Sequence, residues 1–227
     1  MRRSLLAAAA AVSLALGAAS SANALTTVQY NLTDDHCTGT CGGLSSYGTV
    51  DVTGSGESST LTFAIDLANN VFFNPNGNGI DTFSFDLLNN PIISFGGVTS
   101  PFTETNPQSA GSNHEDGFGN WDYIVNLPMG SSTTLQHLSF TVTGSGANAG
   151  QILTIDHNTA DNQSIFAAVD IIGTNTKTGA VGATFGSIIT TTTGGVPEPA
   201  SWALMIMGIG GIGASLRARR RTVAATA

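Results

Sequence analysis

Basic residues are almost absent from the middle of this chain. Lysine and arginine together number 7, and between positions 25 and 196 only Lys177 remains, against fourteen of the fifteen acidic residues. That stretch therefore carries a net formal charge of −13. A body this acidic repels the phosphates of nucleic acids and the headgroups of anionic lipids, so we expect no nucleic acid among its partners.

Catalytic and metal-binding signatures are also scarce. The sequence has no Gly-x-Ser-x-Gly nucleophile elbow, and its 4 histidines are scattered without the spacing of a zinc site. We expect a protein that is not an enzyme and that holds no metal or cofactor. A secreted hydrolase remains an alternative if two carboxylates converge in a cleft, as they do in a glycosidase.

Cysteine is equally rare. The 2 cysteines, Cys37 and Cys41, are separated by Thr-Gly-Thr. In an oxidising compartment a disulfide is the favoured interpretation, and it would close a very small loop and stabilise a local turn. A metal or redox pair is the alternative, although redox motifs use the spacing Cys-x-x-Cys. The preceding segment 34–36, Asp-Asp-His, would form the polar entrance to this turn.

The N-terminus has the three parts of a secretory signal. Two arginines are followed by an apolar run over residues 5–19 and by small residues at Ala22 and Ala24. We expect signal peptidase to cut after Ala24, which makes residues 1–24 a signal peptide. An uncleaved anchor is the alternative, but the apolar run is shorter than the roughly 20 residues that a membrane span needs.

Residues 25–189 contain several short runs in which apolar and polar side chains alternate. Such alternation is typical of strands in antiparallel sheets with one buried face. Turn-forming Gly, Asn and Pro separate these runs, and no sustained helical period interrupts them. The sequence predicts an all-β chain with a single antiparallel β-sandwich or jelly-roll-like domain, in addition to a signal helix and one C-terminal transmembrane helix. The apolar positions with this period are Val50, Val52, Leu61, Phe63, Ile65, Leu67, Phe83, Phe85, Leu87, Trp121, Tyr123, Val125, Leu127, Leu138, Phe140, Val142, Val169 and Ile171.

Two irregular segments of the body contain possible ligands. Thr103–Asn120 is the longest such stretch, and we interpret its His114-Glu115-Asp116 as part of a solvated loop. Asn74–Asp81 places asparagine at alternate positions before a glycine, as in half of an EF-hand loop. Its twelfth position is Phe85 instead of glutamate, so a hairpin turn is favoured over a weak calcium site.

Trp121 and Tyr123 beside the longer segment offer a further alternative. Two neighbouring aromatic side chains can form a platform on which sugars stack. Their alternation with polar residues instead favours packing in the core. Exposure of Trp121 would support a carbohydrate-binding module, whereas its burial would favour a structural protein.

The C-terminal end changes character after a Thr/Gly linker at residues 190–195. Residues 200–216 form an uncharged apolar segment, at the short end of the length for a transmembrane helix. Residues 222–227 would end the chain in the cytoplasm. The arginines expected to stop the segment on the cytoplasmic side are Arg217, Arg219, Arg220 and Arg221.

This tail resembles the PEP-CTERM sorting family, in its variant with the pattern PEPxxWAMMIxGxGxxG followed by arginines. Leu204 stands where many members have methionine. The sorting signal would cover residues 196–221. The residues that match are Pro197, Glu198, Pro199, Trp202, Ala203, Met205, Ile206, Gly208, Gly210 and Gly213.

The resemblance implies a route of export from a Gram-negative cell. The tail would hold the body in the periplasm, anchored to the inner membrane, until the membrane protease exosortase cuts near Pro197–Pro199. The protein would then reach the cell surface or the extracellular matrix, often beside exopolysaccharide. We therefore expect a structural protein of the surface or biofilm matrix, with an exopolysaccharide-binding module as the alternative.

Overall fold

The computed structural model describes residues 25–75, 82–105, 113–115, 117–160, 162–189, 206–209 and 211. Leu25–Thr191 form one compact unit, and Met1–Ala24 with Thr192–Ala227 are grouped as a second. In the second unit, 206–209 and 211 are helical. No helix within the described ranges is both long enough and apolar enough to cross a membrane. The predicted signal peptide, and most of the predicted span at 200–216, lie outside these ranges.

Strands are the main regular structure of the described body, so the predicted all-β class is confirmed. One 3₁₀ turn, Gly146–Asn148, interrupts them. The strands are β1 Thr27–Asp35, β2 Gly48–Thr53, β3 Thr60–Leu67, β4 Phe72–Phe73, β5 Phe83–Phe85, β6 Ile93–Gly96, β7 Thr103–Thr105, β8 Asn113–Glu115, β9 Gly119–Trp121, β10 Tyr123–Asn126, β11 His137–Gly144, β12 Asn158–Ala160, β13 Gln163–Ile165, β14 Ala167–Ile172 and β15 Thr178–Ile189.

Eleven of these strands form one antiparallel sheet in the order β6-β11-β3-β2-β1-β15-β14-β5-β10-β7, with β4 on the side of β14. The hairpins β8–β9 and β12–β13 are separate two-stranded sheets. This topology differs from the two independent sheets of the predicted sandwich. The pairing of β1 with β15 joins what would have been two layers into one continuous, nearly closed sheet.

Phenylalanine side chains fill the space that this sheet encloses. Phe63 of β3 stacks on Phe140 of β11 with ring centroids 4.8 Å apart, and it lies 4.7 Å from Phe85 of β5. Because β3 and β5 are far apart in the strand order, this contact means that the sheet curls until its two halves face each other. The alternating residues predicted to be apolar on one face supply this core, except for Trp121, which belongs to a second cluster.

The predicted loop Thr103–Asn120 is wrong as a continuous irregular segment, because it contains β7, β8 and most of β9. The β8–β9 hairpin packs against the outside of the main sheet. Phe118 and Trp121 there form a second apolar cluster with Ala168 and Ala180 of β14 and β15. Short strands rich in Gly and Asn lack the alternation that identifies strands elsewhere in the chain.

Only the start of the other irregular segment, Asn74–Asp81, is described. Asn74 follows β4, is buried, and donates from Nδ2 to Oδ2 of Asp170 at 2.9 Å. Its side chain therefore ties β4 to β14. Residues 76–81 lie outside the described ranges, and with them the predicted hairpin turn and the calcium alternative.

Replacement of Phe63 by alanine should destabilise the body more than an equivalent change on its surface. Phe63 is fully buried among Phe83, Phe85 and Phe140, so Phe63→Ala leaves a cavity worth about 4 kcal/mol of unfolding free energy. Urea denaturation measures this loss. Phe185→Ala is the control, since that ring is 56% exposed. Equal losses for the two variants would contradict the position of Phe63 in the core.

Candidate functional site

Cys37 and Cys41 form a disulfide, as predicted, with their Cα atoms 5.4 Å apart. The bond closes the turn that follows β1, and both cysteines are buried. Asp35, Cys37 and Cys41 are also the one group in the described part of the chain whose ligand-type atoms lie together. Because both sulfurs are bonded to each other, they offer no thiolate to a metal ion.

Asp35 organises this turn from inside. Its carboxylate accepts hydrogen bonds from the backbone N–H of Cys37 at 2.9 Å, from that of Cys41 at 3.0 Å, and from the Tyr47 hydroxyl. Burial alone raises the pKa of Asp35, but these three donors outweigh it and leave the pKa below its ordinary value. The ionised carboxylate therefore favours the folded turn.

The disulfide turn is packed closely onto the β14–β15 hairpin. The Thr174 N–H donates to the Cys41 carbonyl at 3.1 Å. A Cβ atom at Gly173 would lie 2.0 Å from that carbonyl oxygen, and one at Gly179 would lie 2.6 Å from the Cys37 Cα. Only glycine permits this approach, so the turn fastens the end of β1 to the hairpin that ends in the last strand.

The predicted polar entrance 34–36 is divided between two places. Asp35 turns into the disulfide loop, whereas His36 lies against Phe118 of the β8–β9 hairpin, with ring centroids 4.4 Å apart. Asp34 Oδ1 lies 3.7 Å from His36 Nε2. His36 thus connects the end of β1 to the hairpin that covers the sheet.

Glu115 contradicts the prediction of a solvated loop. Its side chain is 2% exposed, and its Oε1 accepts a hydrogen bond from the Ser84 hydroxyl at 2.9 Å. Ser84 belongs to β5 and is fully buried as well. The pair fixes the β8–β9 hairpin to the main sheet. His114 is exposed, and Asp116 lies outside the described ranges.

Three carboxylates, those of Asp86, Asp122 and Asp156, form a group at one end of the sheet's strands. Asp86 directly follows β5 and Asp122 directly follows β9. Asp156 comes directly after Ile155, which forms a bridge with Leu87. Asp86 accepts the Asp122 N–H at 2.7 Å, and its carbonyl accepts the Asp156 N–H at 2.9 Å. Burial raises the pKa of Asp86 to about 6, and the negative charges of Asp122 and Asp156 add to the rise against the opposing Asp122 N–H. Sequence alone could not bring these three positions together.

The aromatic pair considered for a sugar platform is inside the protein. Trp121 is 0% exposed and Tyr123 is 2% exposed. The Tyr123 hydroxyl donates to the Pro91 carbonyl at 2.6 Å, and burial raises the pKa of this hydroxyl. The prediction of core packing from their alternation is confirmed, and the stacking platform at these residues is excluded.

The residues predicted for processing lie outside the described ranges, so their geometry is not part of the site. They are Ala22, Ala24, Pro197, Glu198, Pro199, Trp202, Ala203, Arg217, Arg219, Arg220 and Arg221.

Removal of the disulfide should weaken the body measurably without unfolding it. A bond closing a loop of about five residues contributes about 2 kcal/mol through the entropy of the unfolded chain. A Cys37→Ala and Cys41→Ala double variant should therefore lose about 2 kcal/mol in urea denaturation. Reductant should lower the unfolding free energy of the unmodified protein by a similar amount and leave that of the variant unchanged. A reductant-dependent change in the variant's unfolding free energy would contradict this account.

Asp86→Asn should stabilise the protein near neutral pH. The pKa of Asp86 is raised in the folded state, so the folded state binds its proton more tightly, and stability falls as pH rises from about 4 through about 6. Asparagine keeps the acceptor for Asp122 but carries no charge. We expect a melting temperature about 3 °C higher at pH 7.5 and no difference at pH 4.

Glu104→Gln is the control for this substitution, because Glu104 is an exposed carboxylate on β7. Thermal unfolding followed by circular dichroism at both pH values provides the measurement. An Asp86→Asn effect of equal size at pH 4 and pH 7.5 would show that charge at this position is not its cause.

Comparison with known proteins identifies the C-terminal end of the chain. Residues 195–221 match the family model of the PEP-CTERM protein-sorting motif, which confirms the resemblance. No curated protein and no solved structure matches the chain. Residues 195–221 are thus a PEP-CTERM sorting motif, and this motif implies an exported protein that exosortase sorts to the cell envelope or surface.

Proposed function

We propose that the mature protein is a non-catalytic structural protein of the cell surface or of the exopolysaccharide-rich extracellular matrix. The observation that carries this proposal is the sorting motif at residues 195–221, attached to an acidic, disulfide-closed β body. A disulfide persists outside the reducing cytosol, which agrees with export. The charge of −13 keeps such a body soluble and away from anionic surfaces.

The proposed route has two cuts. Signal peptidase removes residues 1–24, and the apolar segment 200–216 then holds the body on the periplasmic side of the inner membrane. Arg217 and the arginines after it keep the end of the chain in the cytoplasm. Exosortase cuts near Pro197–Pro199 and releases the body.

A carbohydrate-binding module remains the alternative, but its binding surface cannot be the one suggested by the sequence. Burial of Trp121 and Tyr123 removes the aromatic platform on which this alternative first depended. Apart from exposed rings such as Phe185, the groups left for glycan binding are polar side chains on a sheet face. Each hydrogen bond to a sugar hydroxyl is weak without ring stacking, but many such contacts along one polymer add up to a useful affinity.

One observation favours a secreted hydrolase as a further candidate. Asp86 has a pKa raised to about 6 beside Asp122 and Asp156, and a carboxyl group that keeps its proton at mildly acidic pH can act there as a general acid. If this group is catalytic, the mature protein should release reducing sugar from its host's exopolysaccharide, and Asp86→Asn should abolish the release. Unchanged polysaccharide would eliminate this candidate.

Mass spectrometry of the protein recovered from the cell surface tests the proposed route. The mature chain should begin at Leu25 and should lack the apolar tail. A Glu198→Ala and Pro199→Ala variant should stay in the membrane fraction at full tail length, because the sorting protease no longer recognises it. Ser201→Ala, between the matched motif positions, is the control and should be processed normally. Surface protein that retains Trp202–Arg221 would contradict the proposal.

A further inference from the structure

The two outer faces of the main sheet differ. The face formed by β14 and the adjoining part of β15 is covered by the hairpins β8–β9 and β12–β13, whose Phe118, Trp121 and Ile165 bury Ala168 and Ala180. On the other half, the outward positions of β1, β2, β3 and β11 alternate with buried core residues. These outward positions are half-buried or exposed.

The register aligns these outward side chains into three rows that cross the four strands, which we call the polar face. One row consists of threonine alone, Thr27, Thr53, Thr62 and Thr141, each directly opposite the next. The second row is Gln29, Asp51, Ala64 and Ser139, and the third is Asn31, Thr49, Asp66 and His137.

Contacts between neighbouring strands hold these side chains in place. The hydroxyls of Thr27 and Thr53 lie 2.7 Å apart, and Gln29 Nε2 donates to Asp51 Oδ1 at 2.9 Å. His137 Nδ1 lies 2.7 Å from Asp66 Oδ1. Side chains already ordered in this way lose little further entropy when a ligand binds.

The spacing and chemistry of the face indicate a particular polymer. Adjacent strands lie about 4.8 Å apart, which is close to the length of one pyranose unit. A sugar chain lying along the threonine row would meet one hydroxyl side chain per sugar. Eleven of the twelve side chains offer hydroxyl, amide, carboxylate or imidazole groups, and none is an extended apolar surface.

Charge selects among sugar polymers. The face includes Asp51 and Asp66, and the body around it carries −13 with Lys177 as its one base. Polysaccharides bearing carboxylate or sulfate groups are therefore repelled, whereas a polymer bearing ammonium groups is attracted. Ammonium groups can bind beside the exposed carboxylate of Asp66, whose side chain is 62% exposed.

We propose that the polar face binds an extended amino-sugar polysaccharide, with sugar hydroxyls on the threonine row and ammonium groups beside Asp51 and Asp66. This inference rests on the proposed function at the surface or in the matrix, and it names the contact that keeps the body there. Each sugar adds a weak contact, and repetition along the polymer supplies the affinity.

The proposal is tested by co-sedimentation. The mature protein is purified from its host, mixed with partly deacetylated chitin and centrifuged. The protein should sediment with this polymer at least tenfold better than with fully acetylated chitin or with the anionic polymer alginate. The Thr62→Val and Thr141→Val double variant should lose about tenfold in affinity, because valine keeps the shape and strand propensity of threonine but has no hydroxyl. Asp66→Asn should also weaken binding.

The matched control is Thr33→Val with Thr184→Val. These two residues are also a cross-strand pair, with hydroxyls 2.7 Å apart, but they lie outside the three rows. The control should bind like the unmodified protein, and melting temperatures establish that each variant folds. Equal loss in both double variants, or no loss in either, would mean that the acidic body attracts the polymer without using the polar face.

Two further outcomes separate this inference from the proposed function. Processed protein that reaches the surface but does not bind partly deacetylated chitin overturns the inference and leaves the proposed function intact. Protein that never reaches the surface overturns the proposed function, whatever it binds in solution. Equal binding to the deacetylated and the fully acetylated polymer would overturn the role assigned to ammonium groups.

Discussion

The pairing of β1 with β15 is the interaction on which the rest of the fold depends. It joins the first strand to the last over the span from Thr27↔Ile189 to Asp35↔Val181, and so makes one sheet of two halves. Register shifts after Gln29 and after Leu32 bend the ladder, which lets the halves turn toward each other. The disulfide turn and the glycines beneath it hold the far end of this ladder closed. Thr27 and Ile189, near the two ends of the body, therefore lie on neighbouring strands.

Carboxylates serve opposite purposes in this body. Asp35 is held ionised by three donors, so its contribution to stability is present at neutral pH and is lost as pH falls through its lowered pKa. Asp86 has the opposite effect on stability. Its pKa is raised by burial and by the charges of Asp122 and Asp156, so its ionisation lowers the stability of the fold as pH rises. Asp66 and Glu104, by contrast, are exposed, and water screens their charges. Within the described ranges, Asp35, Glu57 and Asp86 accept hydrogen bonds from backbone N–H groups or hydroxyls, whereas Asp34, Asp66 and Asp156 lie beside histidines.

Local alternation in the sequence predicted the strands whose inner faces form the core, including those of Phe63, Phe85 and Phe140. It could not predict the β1–β15 pairing, because no local pattern records which distant strands become neighbours. The β8–β9 hairpin was missed because Asn and Gly replace the β-branched residues of ordinary strands. Burial of Glu115 was missed for the same reason. The threonine row could not be predicted either, since each strand contributes a single member and the row appears only when the register of four strands is known.

The division between tail and body determines where a lasting function can reside. If the tail is removed during sorting, the released body has to stay at the surface through contacts of its own. Most of its described aromatic side chains pack in the two apolar clusters, although Phe185 is 56% exposed, and one outer face of its sheet is covered by the hairpins β8–β9 and β12–β13. The polar face, with its side chains already ordered across four strands, combines regular spacing with hydroxyl, amide and carboxylate groups. A repeating, hydroxyl-rich, positively charged polymer satisfies both properties together, whereas a compact globular partner would use neither the repeat nor the charge.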